Sequence, residues 1–135
     1  MAEAIARQDA LLEIEASSAG LAPLGFVADM TTETLLRNGY AVDGLASKPI
    51  TAEAWESADM VINMSGRARE SAFRNFGGHA KAEDWEIEDP YGNAEKYQGT
   101  YEAVQRRVTE LAQRIRKEFA TRGDRKDDAA TRARP

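Results

Sequence analysis

Asp59-Met60-Val61-Ile62-Asn63-Met64 is the stretch on which the fold turns. Its apolar side chains follow one another without the alternation of a half-exposed strand. That pattern predicts a strand buried on both faces of a parallel sheet. Just upstream, Pro49 biases Lys48 away from helix, so Ser47-Lys48-Pro49-Ile50 is extended. Thr51-Ala52-Glu53-Ala54-Trp55-Glu56 then reads as a short helix capped by Thr51. Downstream, Ser65 stands where it can cap a helix to about Phe76, stopped by Gly77-Gly78. Trp85-Glu86-Ile87-Glu88 alternates and predicts a shorter strand. Asp89-Pro90-Tyr91-Gly92-Asn93 is a turn by its breaker residues.

Further out, Met1 to about Leu12 is predicted as a helix, followed by a strand over Glu13-Ile14-Glu15-Ala16-Ser17. Thr31 to Gly39 is another helix, with Asp29 or Thr31 as its cap and Gly39 as its left-handed stop. From about Ala94 to Phe119, Tyr97, Tyr101, Val104, Val108, Leu111, Ile115 and Phe119 recur at three- and four-residue steps. They make one apolar face on a charged helical rod. The ordered domain is therefore placed at residues 1–120. Residues 121–135, with five basic and three acidic side chains, are expected to be a disordered charged tail. Helices alternating with short apolar strands predict an α/β layered domain with a parallel sheet.

The composition narrows the chemistry. The 135 residues carry 18 Lys and Arg against 23 Asp and Glu, a net charge of −5, which argues against a nucleic-acid backbone as partner. No cysteine is present, which excludes a disulfide scaffold, a cysteine-ligated zinc site and a thiol nucleophile within these residues. Neither a metal nor a cofactor is expected. The longest uncharged run, Ala16 to Ala28, is broken by Gly20, Pro23 and Gly25 and is too short to cross a membrane. The N-terminal residues lack a signal peptide's basic start and apolar centre, so the expected compartment is the cytoplasm.

Taken in order, Met1-Ala2-Glu3-Ala4, Ser17-Ser18-Ala19-Gly20, Pro23, Leu35 to Gly39, Ser47-Lys48-Pro49-Ile50, Ala58-Asp59-Met60-Val61 and Trp85 to Asp89-Pro90 are similar to one family. The chain resembles the low-molecular-weight protein tyrosine phosphatases, whose fold the thioredoxin-coupled arsenate reductases share. The likeness runs from Met1 to about Arg116. It implies a flavodoxin-like, three-layer αβα fold and hydrolysis of phosphate monoesters. In the family, a first strand and a loop of the form Cys, five residues, Arg, then Ser or Thr and Pro lead into the helix that Met-Ala-Glu opens. The resemblance thus implies a sheet without its first, internal strand and a chain without its catalytic loop. Either a longer protein starts upstream of an internal Met1, or the protein is naturally shortened.

Phosphoryl transfer from an aryl ester needs a nucleophile, donors for the phosphoryl oxygens and an acid for the leaving oxygen. The resemblance places the acid at Asp89, an aromatic wall of the crevice at Tyr91, and a permissive turn at Gly92. Asp89 also has a plainer reading, as a cap of the terminal helix or an anchor of the Asp-Pro turn. Ser17 and Ser18 are the hydroxyls nearest the expected crevice, but a serine nucleophile needs a base beside it. His79 reads as a surface-loop residue, Trp55 and Trp85 as packing residues. Arg67 and Arg69 form a solvated helix face or line an anion site. The arsenate reductase relay of cysteines is excluded, since Asn63-Met64-Ser65-Gly66-Arg67 holds none where one is expected.

Two functions follow. One is a phosphotyrosine phosphatase of this family, inactive as given because nucleophile and arginine loop are absent. The other is a non-catalytic homodimeric relative that binds a phosphoprotein, another protein or an anion. The homodimer is expected because a sheet lacking an internal strand exposes unpaired backbone groups.

Overall fold

The structure, a computed structural model, describes residues 1–21, 25–77 and 81–130. Seven elements follow in order: α1 (Ala2–Asp9), α2 (Asp29–Arg37), α3 (Ala52–Ser57), β1 (Val61–Asn63), α4 (Arg69–Ala72), β2 (Ala82–Asp84) and α5 (Tyr97–Ala130). A 3₁₀ turn at Ala94–Lys96 leads into α5. The two strands pair in parallel, with Val61 opposite Ala82 and Asn63 opposite Asp84. This is the expected α/β class with a parallel sheet.

The main core lies between α5, α1, α2 and one face of the sheet. Ile5, Leu35, Val104 and Val108 are fully buried there. Met60, Ile62 and Met64 pack on the same cluster from the strand side. Their spacing of two puts them on one face, as strand geometry demands. The α5 periodicity holds for Tyr97, Tyr101, Val104, Val108 and Leu111, which are buried, and Ile115, which packs on the core. Phe119, at the end of the repeat, is 62% exposed. A smaller cluster joins α3 to the α4 region, where the Trp55 ring lies 4.9 Å from Phe73 and 5.7 Å from Phe76.

Local signals were accurate at helix ends. Thr51 Oγ1 accepts the Ala54 N–H at 3.1 Å, as a cap should. Gly39, at φ 87°, closes α2 in the left-handed region. Its N–H reaches Leu36 O at 3.0 Å and the Tyr40 N–H reaches Leu35 O at 2.9 Å, the paired bonds of a Schellman ending. The start of α2 differs from expectation. Ala28 is its cap and Asp29 lies in the first turn, where its charge complements the helix dipole without a side-chain cap bond.

Strand positions need more correction. Glu13–Ser17 forms no ladder; the segment pairs only later, through a parallel bridge of Gly20 with Pro49. The second strand is Ala82-Glu83-Asp84, not Trp85–Glu88. The ladder to β1 fixes it there, against the poor strand preference of its residues. The alternation at 85–88 is nonetheless real: Trp85 is buried, Glu86 and Glu88 are exposed, and Ile87 lies between these. It continues past the end of β1, where only the Trp85 N–H still reaches Asn63 O, at 2.9 Å. The helix expected over Ser65–Phe76 shrinks to Arg69–Ala72, because Ser65 closes a tight turn instead of capping. At the other end, α5 continues through Ala130, beyond the boundary drawn at residue 120. The rest of the expected charged tail, residues 131–135, lies outside the described residues.

Candidate active site

Parallel strands deliver their carboxyl ends to the same side of a sheet, where open α/β folds place their ligands. In this chain β1 opens there into residues 64–68, and β2 into residues 85–93. One buried side chain links the two exits. Asn63 Nδ2 donates to Arg67 O at 2.8 Å and to Asp84 Oδ1 at 2.9 Å. Its Oδ1 accepts the Ser65 N–H at 3.1 Å and the Ser65 hydroxyl at 2.6 Å. Asp84 in turn pairs with Arg69 at 3.2 Å, and Arg69 donates to Ala82 O at 2.9 Å. Arg69 lies on the exposed face of α4, as expected, and there fastens loop to strand.

The second loop is built around Asp89. Its Oδ1 accepts the Tyr91 N–H at 3.0 Å, closing an Asx turn over Pro90. The Asn93 N–H returns to Pro90 O at 2.8 Å, with Gly92 at φ 86°. A positive φ at the third residue of a four-residue turn is what Gly supplies. Asn93, not Asp89, caps the following helical turn, by accepting the Glu95 N–H at 3.2 Å. Asp89 does anchor the Asp-Pro turn, as its plainer reading held. Its carboxylate is exposed, and Oδ2 meets no donor among the described residues. Tyr91 is 55% exposed beside it. Glu88 pairs with Lys96, and its carbonyl accepts the Thr100 hydroxyl at 3.4 Å, so the loop is tied to the base of α5.

A third segment approaches from α1. Glu3 is buried, ion-paired with Arg7, and accepts the Ser18 hydroxyl at 2.5 Å. Ser18 is thereby committed to holding Ser17–Gly20 against the first turn of α1. No hydrogen bond or ion pair among the described residues joins Asp89 to Ser17, Ser18 or Arg67. Trp55 and Trp85 are packing residues, the latter donating to Glu83 at 3.3 Å. His79 lies outside the described residues. Among the described residues no group of His, Asp and Glu side chains could hold a metal ion. None of their helices is long and apolar enough to cross a membrane.

Sequence reading missed Asn63 and Glu3. The signal was available for Asn63: it is the one polar side chain inside an apolar strand run, where only a satisfied amide is tolerated.

The family model for low molecular weight phosphotyrosine protein phosphatases matches residues 1–121. The chain belongs to that family. No curated protein matches it. Among solved structures, YfkJ from Bacillus subtilis superposes with a TM-score of 0.75 at 22% identity, over 87% of this chain and 86% of that one. The YwlE arginine phosphatase with a phosphorylated active-site serine gives 0.73 at 26% identity, over 86% of each chain. An arsenate reductase in its phosphate-binding state gives 0.69 at 26%, over 84% of this chain and 86% of that one. The family likeness thus extends from the sequence to the overall fold.

Proposed function

We propose that this chain carries the acid side of a phosphotyrosine phosphatase crevice and cannot by itself complete the reaction. The single observation behind this is Asp89: an exposed carboxylate in an Asx-Pro turn, one oxygen holding the turn and the other free. Protonated, that free oxygen can give its proton to a leaving phenolate as the ester P–O bond breaks. Tyr91 would stack beside the aryl group. The attacking partner must come from elsewhere, since these residues contain no cysteine. A weakly acidic hydroxyl such as Ser17 has no base placed on it to substitute.

With p-nitrophenyl phosphate, the 135-residue chain is expected to give no turnover above buffer. Turnover that survives repurification and is lost in Asp89→Ala would overturn the assignment of inactivity. An in-frame Cys, five residues and Arg in the DNA preceding Met1 would instead supply the complementary loop.

A second reading, of a non-catalytic homodimeric relative, draws on the sheet. In the β1–β2 ladder the residues at 61 and 63 direct their N–H and C=O toward β2. Those of Ile62 therefore face the opposite edge, which pairs with no strand among the described residues. Such an edge is a template for a further strand.

A further inference from the structure

A cleft of about 350 Å³, which Asp89 does not line, lies between the Gly20–Pro49 bridge and the residues that surround α4. Arg67 and Arg74 both line it, together with Ser71 and Asn75. Of the other arginines with described side chains, five are ion-paired, while Arg106 and Arg107 on α5 are not. Arg7, Arg37, Arg69, Arg114 and Arg116 each face a carboxylate. Arg67 and Arg74 face none among the described residues, although the chain has more acidic than basic side chains. Two unneutralised guanidinium groups on one cleft repel each other, a cost that a shared anion removes.

The root of one of them is rigid. The Arg67 N–H donates to Ser65 Oγ at 3.1 Å, and its carbonyl accepts from Asn63 at 2.8 Å. The buried amide of Asn63 thus fixes where the Arg67 side chain departs, at the carboxyl end of β1. Guanidinium groups bind oxyanions through paired, charge-assisted N–H donors, and a hydroxyl and a carboxamide add neutral donors.

We propose that this cleft is an oxyanion-binding site, with Arg67 and Arg74 as its charged arms and Ser71 and Asn75 as its neutral donors. The ligand is a phosphate monoester or an acidic peptide carboxylate; both present the same planar pairs of oxygens. This assignment is independent of the proton donor at Asp89, and it stands whether or not the chain has catalytic activity.

Amide NMR titration of the full chain, separately with inorganic phosphate and with glutarate, tests it. Saturable shifts are expected at Gly20, Ser71 and Asn75. The double variant R67Q/R74Q should weaken binding by about tenfold or more, as expected for loss of charge-assisted bonds. R37Q/R116Q, which removes equal charge elsewhere, should bind as the parent does. Saturation by phosphate alone identifies a phosphate ester as the source, and saturation by glutarate alone a carboxylate; either supports the site. No saturable shift with either anion would overturn it. So would shifts undiminished in R67Q/R74Q, or equally diminished in R37Q/R116Q. The single variant R74Q, on an exposed side chain, keeps the test decisive if the double variant unfolds.

Discussion

A carboxamide can donate two hydrogen bonds and accept two, and Asn63 makes all four while only 3% exposed. Satisfied in this way, it stabilises the loop after β1; truncated, it strands three partners at once. Asn63→Ala is expected to cost about 2–3 kcal/mol in urea unfolding, the range for breaking a buried polar network. It should also weaken anion binding at Arg67. Tyr40 is a second residue of this kind. Its hydroxyl donates to Asp9 and accepts from Gln105 at 3.1 Å, while its ring meets Tyr101 edge-on at 5.7 Å. Burial, reinforced by the bond to Asp9, raises the phenol well above its ordinary value. The folded state therefore holds this proton more tightly than the unfolded chain. The resulting stability is complete below about pH 10, the ordinary phenol value, and declines as pH rises toward the folded one. Tyr40→Phe should lose about 1 kcal/mol at neutral pH and show a shallower alkaline loss of stability. An equally steep alkaline decline in the variant would assign that loss to another group.

Among elements, the helices follow from local chemistry. The Schellman ending of α2 needs the positive φ that Gly39 adopts, and no atom crowds a Cβ placed there. Gly39→Ala therefore isolates the backbone cost, expected at about 1 kcal/mol by thermal melting. A larger loss would point to packing instead. The α5 stripe and the Thr51 cap were legible for the same reason: each depends on residues within a turn or two. The strands were legible only as tendencies. Trp85 to Glu88 alternates as a strand should, yet β2 forms three residues earlier, where β1 offers a partner. Glu13 to Ser17 has the pattern and lacks the partner. Turn chemistry likewise defeated the helix read after Ser65, whose hydroxyl serves Asn63 and the Arg67 N–H instead of a helix start.

At the scale of the molecule, one sheet edge dominates the expected behaviour. Ile62 packs its side chain into the main core while its backbone groups face an edge that no strand among the described residues pairs with. In the proposed homodimer, pairing that edge with a second copy would satisfy both sets of groups about a twofold axis. Light scattering on the purified chain should return twice the chain mass. A stable, cooperatively unfolding monomer would exclude the dimer and leave the edge solvated. The surface ion pair of Glu83 with Arg114, at 2.8 Å, joins β2 to α5 and holds the Glu83 carboxyl below its ordinary range. Being partly exposed, it serves the orientation of the helix more than its stability.

By itself the sequence determined the α/β class, the face of α5, the stop of α2, the cap of α3 and the position of the Asp89 turn. These depend on periodicity and on backbone preferences that act within a few residues. Only the tertiary structure decided which three residues pair with β1, that Ser18 serves Glu3, and that Arg67 and Arg74 share a cleft. Those outcomes join segments distant in the chain, and hydrogen-bond satisfaction across the folded whole selects them.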